Sequence, residues 1–320
     1  MKNEATLNLS TIAKDYSNED KARELLEAKR WPNGTICPHC KAEGAYKLTP
    51  KADSKTSVRK GVWKCKACRK QFTVTVGTIF EDSRIPLSKW LLAIHLMCAS
   101  KKGYSAHQLH RTLGITYKSA WFMAHRIRYA MTQEPLTSKL SGIVECDETY
   151  IGGKAKNMHA SVRREKIQGR GAVSKFPVCS LVERQGRVRS THVPNVTGAN
   201  LRAVLRANVE PTAHIMTDEF TSYIGVSSEF ASHQTVNHGK GEYVRRGAHT
   251  NTIESFFALL KRGIIGTFHH VSEQHLHRYL SEFDFRYNMR TVKDGERTME
   301  ALKGFEGKRL MYKDPVNKKS

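Results

Sequence analysis

The sequence predicts a multidomain protein: a small cysteine-held ribbon, then a helical pair, then an α/β domain. Three observations predict this. Four of the seven cysteines form two C-x₂-C pairs among short β-type runs. From 86 to 131 the apolar spacing turns helical, with one break. From 143 to 288 strand-like and helix-like runs alternate, the pattern of a sheet packed against helices.

The elements follow in order. Ser17-Asn18-Glu19-Asp20 predicts a helix start, with Ser17 as cap and acids in the first turn; the helix runs to about Arg30. Residues 1–30 therefore form a helical segment and 31–82 the ribbon. In the ribbon, Cys37-Pro38-His39-Cys40 and Cys65-Lys66-Ala67-Cys68 are separated by 24 residues. Four thiolates at that spacing suit one tetrahedral zinc ion, closed to substrate and so structural. Cys98, Cys146 and Cys179 lie in apolar runs and are expected to be buried.

Residues 83–135 form a helix-turn-helix-like segment. Trp90, Leu91, Ile94 and Met97 make one apolar stripe. Ser105–Thr112 and Thr116–Met131 then flank the break at Leu113-Gly114-Ile115-Thr116. On the second of these helices Ala120, Met123, Ala124 and Ile127 face the core. Tyr117, Lys118, His125, Arg126 and Arg128 are left for the outside, with Lys118 and Arg126 as candidate DNA contacts. A plain helical hairpin with a charged face has the same pattern.

Composition narrows the class of partner. Lys and Arg number 53 against 30 Asp and Glu, a formal net charge of +23. A polyanion is the simplest reason to tolerate that self-repulsion. The longest apolar stretch, Trp90–Ala99, is too short to span a bilayer, and the N-terminus has no signal-peptide core. A cytoplasmic, nucleoid-associated protein with reduced thiols and no membrane partner is expected.

The α/β domain, 140–292, carries the acids. In the strand around "IVECDETYIGG", Ile143, Glu145, Asp147 and Thr149 share one face; Val144, Cys146, Glu148 and Tyr150 share the other. Alternation alone leaves Glu145 and Asp147 equally placed. Asp218-Glu219 ends a later strand, and Glu254 follows Asp218 by 36 positions, on a helix. Carboxylates converging from distant segments suit Mg²⁺ or Mn²⁺. Two such ions, roughly 3.5–4 Å apart, support phosphodiester cleavage and transfer. Each acid also has a local alternative: a strand end facing water for Asp147, a turn cap for Asp218, and a capping box over Asn251-Thr252-Ile253-Glu254 for Glu254. Lys261 falls seven residues after Glu254, on the same helical face, with small Ala258 between them.

The runs "DETYIGG", "TDE", "NTIESFFALLKRGI" and "HHVSEQHLHRYLSEFDFRYN", with "RWPNG", "CPHC" and "WKCKACRKQFTVTVGTIFEDS", resemble the DDE transposases of bacterial insertion sequences that carry an N-terminal zinc ribbon. The resemblance covers roughly residues 15–295. It implies a ribonuclease-H-like catalytic domain with Asp147, Asp218 and Glu254 as the acidic triad and Lys261 as the basic residue after the Glu. The expected cofactors are two catalytic Mg²⁺ (or Mn²⁺) ions and one structural Zn²⁺. The expected partners are the element's inverted-repeat ends, target DNA and further copies of the chain. Basic stretches border the acids: Lys154 and Lys156 open one, and Arg245 and Arg246 lie in the other, as candidate phosphate contacts. A DNA-binding regulator derived from such an enzyme, and a nuclease or junction resolvase of the same fold, are the alternatives. Residues 293–320 are expected to form a basic tail.

Overall fold

A computed structural model of the chain describes residues 7–49, 59–132, 138–153, 159–166, 175–236, 244 and 249–311. The chain divides into two compact units, 1–132 with 291–315, and 133–290 with 316–320.

The first unit opens with α1 (Leu9–Asp15) and α2 (Glu19–Arg30). The cap of α2 is Asn18, one residue later than Ser17: its side chain accepts from the Asp20 N–H at 2.8 Å. The ribbon consists of β1 (Tyr46–Lys47), β2 (Trp63–Lys64) and β3 (Gln71–Phe72), antiparallel in that order. Strands of two residues cannot hold themselves together, so the ribbon leans on α2. Trp31 meets Trp63 and Phe72 edge-on, at centroid distances of 5.7 and 5.8 Å. Glu27 accepts from the Trp63 indole at 3.1 Å and from Lys47 at 2.9 Å.

Three helices follow: α3 (Leu87–Ala99), α4 (Ala106–Leu113) and α5 (Tyr117–Met131). Trp90, Leu91, Ile94 and Met97 are all buried on α3. Between α4 and α5, Gly114 has φ 58°, a left-handed turn that favours glycine and stops α4. Thr116 then caps α5, accepting from the Ser119 N–H at 3.2 Å.

The second unit is built on β4 (Ile143–Gly152). After it come α6 (Ala160–Lys166), β5 (Lys175–Glu183), β6 (Val188–His192), α7 (Gly198–Asn208), β7 (His214–Asp218) and β8 (Ser232–Val236). Helices α8 (Asn251–Gly263) and α9 (Glu273–Asn288) complete it. The five strands lie in the order β6-β5-β4-β7-β8. β4, β5 and β6 are antiparallel neighbours, whereas β7 and β8 run parallel to β4. On one face Val144, Cys146, Cys179 and Leu181 pack with Leu201 and Leu205 of α7. On the other, Ile151, Val178 and Val182 pack with Ile253, Phe256 and Leu260 of α8 and with Leu280 and Phe283 of α9. A mixed sheet flanked by helices in this way is ribonuclease-H-like, as the resemblance implies. Two elements differ from the sequence reading. α6 sits where only a basic loop is expected, and Ser232–Val236 forms an edge strand with little apolar signal.

The other edge, β6, is covered by α9. Asn288 accepts from the Val188 N–H at 2.7 Å and donates to its carbonyl at 3.1 Å. Asp284 accepts from the Ser190 N–H at 2.7 Å and its hydroxyl at 2.8 Å. The free edge is thereby blocked against pairing with another chain. Burial pushes the Asp284 carboxyl up to about 7, although both Ser190 hydrogen bonds pull the other way. Its folded value is above the ordinary 3.8, so its contribution to stability is full below that value and is lost as pH rises toward 7. Asp284→Asn is therefore expected to unfold at a temperature that gains on the native chain between about pH 4.5 and pH 8. Thermal scans at the two pH values check this; a constant gap would refute it.

After α9 the chain returns to the first unit. Residues from 293 onward, expected as a tail, contain α10 (Asp294–Lys303). Met299, Ala301 and Leu302 are buried, and α10 packs against α3 and α5. At its end Gly304 approaches so closely that a Cβ would lie 2.1 Å from the Ala130 carbonyl oxygen, which only glycine permits. The tail assignment is corrected over this span: the few apolar residues are scattered among charges, and their burial depends on helices far away in sequence. Among the described residues no helix is long and apolar enough to cross a membrane.

Candidate functional site

The cysteines come together as their spacing predicts. The Sγ atoms of Cys37, Cys40, Cys65 and Cys68 all lie within 4.8 Å of one another. Cys37 to Cys68 is 3.7 Å and Cys40 to Cys65 is 3.6 Å. A tetrahedral zinc with Zn–S bonds of about 2.3 Å requires S···S edges of about 3.8 Å. The donor set fits zinc, and the Cys68 N–H points at the Cys65 sulfur at 3.4 Å. That amide and its neighbours pull the Cys65 thiol down to about 7, which favours the ligating thiolate near neutral pH. His39 stays outside the set and packs its ring edge-on to Phe72.

On the helical pair, Lys118 is exposed near the start of α5, and Tyr117 beside it stacks on His107 at 4.2 Å. Arg126 is placed differently from the expectation. It is only 5% exposed. Its Nη1 donates to the carbonyls of Ile79 at 2.9 Å and Glu81 at 2.7 Å, and its Nε to Leu310 at 3.2 Å. The guanidinium also lies over the Phe122 ring at 4.4 Å. Arg126 is thus an interior clamp rather than a DNA contact, and His125 and Arg128 are buried as well. α5 is enclosed on more sides than a two-helix reading supplies. Lys154, Lys156, Arg245 and Arg246 lie outside the described residues.

In the second unit, parallel pairing sets Glu145 opposite Met216. Continued two residues, that register puts Asp147 beside Asp218, at the C-terminal end of β7 and on the face covered by α8. Both side chains are half-exposed. Asp147 Oδ1 accepts from the Glu148 N–H at 2.7 Å, and Asp218 Oδ1 from the Phe220 N–H at 3.0 Å, the local turn anticipated for it.

Glu254 is exposed in the first turn of α8, in line with exposed Ala258 and Lys261. The capping box does not form. The N-cap is Thr250, whose hydroxyl donates to Glu254 Oε1 at 3.0 Å, and no side chain of the segment caps the helix. The cap comes from Glu145, which is fully buried. Its Oε2 accepts from the N–H groups of Thr252 at 2.9 Å and Ile253 at 3.0 Å. Its Oε1 accepts from the Thr252 hydroxyl at 2.9 Å and from Arg184 Nε at 2.8 Å. Nothing local in the sequence signals these contacts, because the partners of Glu145 lie 107 and 108 positions away.

Glu148 faces the opposite side. The Tyr223 hydroxyl donates to it, and Cys146, whose sulfur contacts that hydroxyl at 3.1 Å, lies beside it. Burial lifts its carboxyl to about 7; the Tyr223 bond opposes this, and the charges of Asp147 and Asp218 add to it. Negative charge is thus concentrated midway along β4 and at the C-terminal end of β7. Asp147, Asp218 and Glu254 are hard oxygen donors of the kind Mg²⁺ and Mn²⁺ prefer, so the residues present fit such an ion. Among the described residues their oxygens are not gathered within 4.8 Å as the cysteines are.

Comparison with known proteins gives a consistent result. Residues 139–288 match the model of the ISXO2-like transposase domain, and residues 17–71 that of the transposase zinc-ribbon domain. An uncharacterized protein in the transposable element ISH50 of Halobacterium salinarum is 30% identical over 286 residues, 85% of this chain and 92% of its own. An uncharacterized transposase-like protein of Haemophilus influenzae is 30% identical over 107 residues, 33% of this chain and 85% of its own.

Proposed function

Because the chain belongs to the insertion-sequence transposases that carry an N-terminal zinc ribbon, we propose that it binds the inverted-repeat ends of its element and catalyses metal-dependent phosphodiester hydrolysis followed by strand transfer. The observation that supports this most is the parallel pairing of β4 with β7, the strands that carry Asp147 and Asp218, with the Glu254 helix capped from the same strand as Asp147. Two Mg²⁺ or Mn²⁺ ions, when bound, would activate the attacking oxygen and stabilise the leaving one.

The chain's own residues do the rest. Asp147 and Asp218 hold the ions, and Glu254 completes the set. Lys261, almost two turns further along the exposed stripe of α8, grips a DNA phosphate. The ribbon and Lys118 on α5 engage the element ends, and the net charge of +23 draws the DNA in. More than one copy acts together on a pair of ends, near the nucleoid.

The test uses the full chain and duplexes copied from the inverted repeats flanking its coding sequence. Incubation with Mg²⁺ is expected to release a 3′-OH and join it to a second duplex. Cleavage without joining would favour a nuclease, and binding without cleavage a regulator; either would refute the reading.

A further inference from the structure

We propose that Glu145 is a positioning residue that sets Glu254 in place against Asp147. The proposal rests on the reading of Asp147, Asp218 and Glu254 as a metal site. Glu145 lies on β4 two residues before Asp147, on the same face of the strand. Its carboxylate accepts from the backbone N–H groups of Thr252 and Ile253, the two residues immediately before Glu254. One buried side chain therefore joins the strand of one proposed ligand to the helical turn of another.

The chemistry of the joint requires a carboxylate. Thr252 N, Thr252 Oγ1, Ile253 N and Arg184 Nε all donate to it. His249 Nδ1 stands 3.2 Å from Oε1. Arg184 also donates to the His249 carbonyl at 3.0 Å, which fixes the chain entering α8 to the same point. A glutamine has one acceptor oxygen and would present an NH₂ group to donors. The first turn of α8 has no side-chain cap of its own, so that loss falls directly on the turn that carries Glu254. The buried carboxylate faces both Arg184, at 2.8 Å, and the positive end of α8.

The experiment measures Mn²⁺ binding to the full chain by the electron paramagnetic resonance signal of the free ion, with thermal unfolding run in parallel. Glu145→Gln is expected to weaken Mn²⁺ binding about tenfold in the folded protein, the scale on which partners of metal-binding groups act. Thr252→Val removes one donor while keeping the N–H, and is expected to weaken binding about threefold, in line with one lost hydrogen bond. A residue that only stabilises the fold would lower the unfolding temperature and leave the Mn²⁺ affinity of folded molecules unchanged. That result in either variant would overturn the proposal. Asp147→Asn is the control: it is expected to lose binding at this site. Native affinity in Asp147→Asn would instead overturn the metal-site reading itself.

Discussion

Asp147→Asn is expected to lower strand transfer by at least about a thousandfold while the chain still folds and binds its DNA ends. The substitution is nearly isosteric, and the asparagine oxygen can still accept the Glu148 N–H that Asp147 holds at 2.7 Å. What disappears is one unit of negative charge midway along β4, near the end of β7 that carries Asp218. Electrostatic stabilisation by bound metal is worth several kcal/mol, and about 4 kcal/mol corresponds to a thousandfold in rate. End binding is assigned to the ribbon and α5, which belong to the other unit. Joined product and gel retardation on the same duplex separate the two effects. Joining within tenfold of the native rate would remove Asp147 from the proposed metal site.

The second large effect is expected at Cys65. Cys65→Ser should release the zinc and unfold the ribbon while leaving the ribonuclease-H-like unit intact. The ribbon has three strands of two residues each, too little sheet to stand alone. Structural zinc contributes about 10–16 kcal/mol of folding free energy in small zinc-dependent modules. Cys65 is fully buried, so serine would leave a hydroxyl facing three sulfurs without a thiolate to complete the set. Metal analysis is expected to fall from about one zinc per chain to a small fraction. The fluorescence of Trp63, now packed against Trp31, should shift toward that of a solvated indole. Full zinc content in the variant would refute the four-sulfur site.

These effects differ in how far the sequence foretold them. The four cysteines announce themselves, since each knuckle is a local turn with only two residues between its cysteines. The α4–α5 break is equally local: Gly114 and the Thr116 cap sit within three residues of each other. Arg126 shows the opposite case. Helical periodicity describes one buried stripe, but α5 is enclosed further by the segment around Ile79–Glu81 and by Leu310, 184 positions away. β8 and α10 were illegible for a related reason. Ser232–Val236 is a polar edge strand that gains its form from pairing with β7, and α10 buries its few apolar residues against helices from the start of the chain.

By itself the sequence determined the four-cysteine cluster, the helical pair, the order of strands and helices in the α/β unit apart from α6 and β8, and which acids were eligible. Each depends on spacing within one element or on the joint order of motifs. The resemblance singled out Asp147 for the triad; only the tertiary structure decided what Glu145 does. Strand alternation puts both on one face, and nothing nearby distinguishes them. The distinction comes from α8, whose first turn meets β4 at Glu145 and takes up that carboxylate in three hydrogen bonds, to which Arg184 adds a fourth. Asp147, one side-chain repeat further on, is left half-exposed beside Asp218, where a carboxylate can meet a cation.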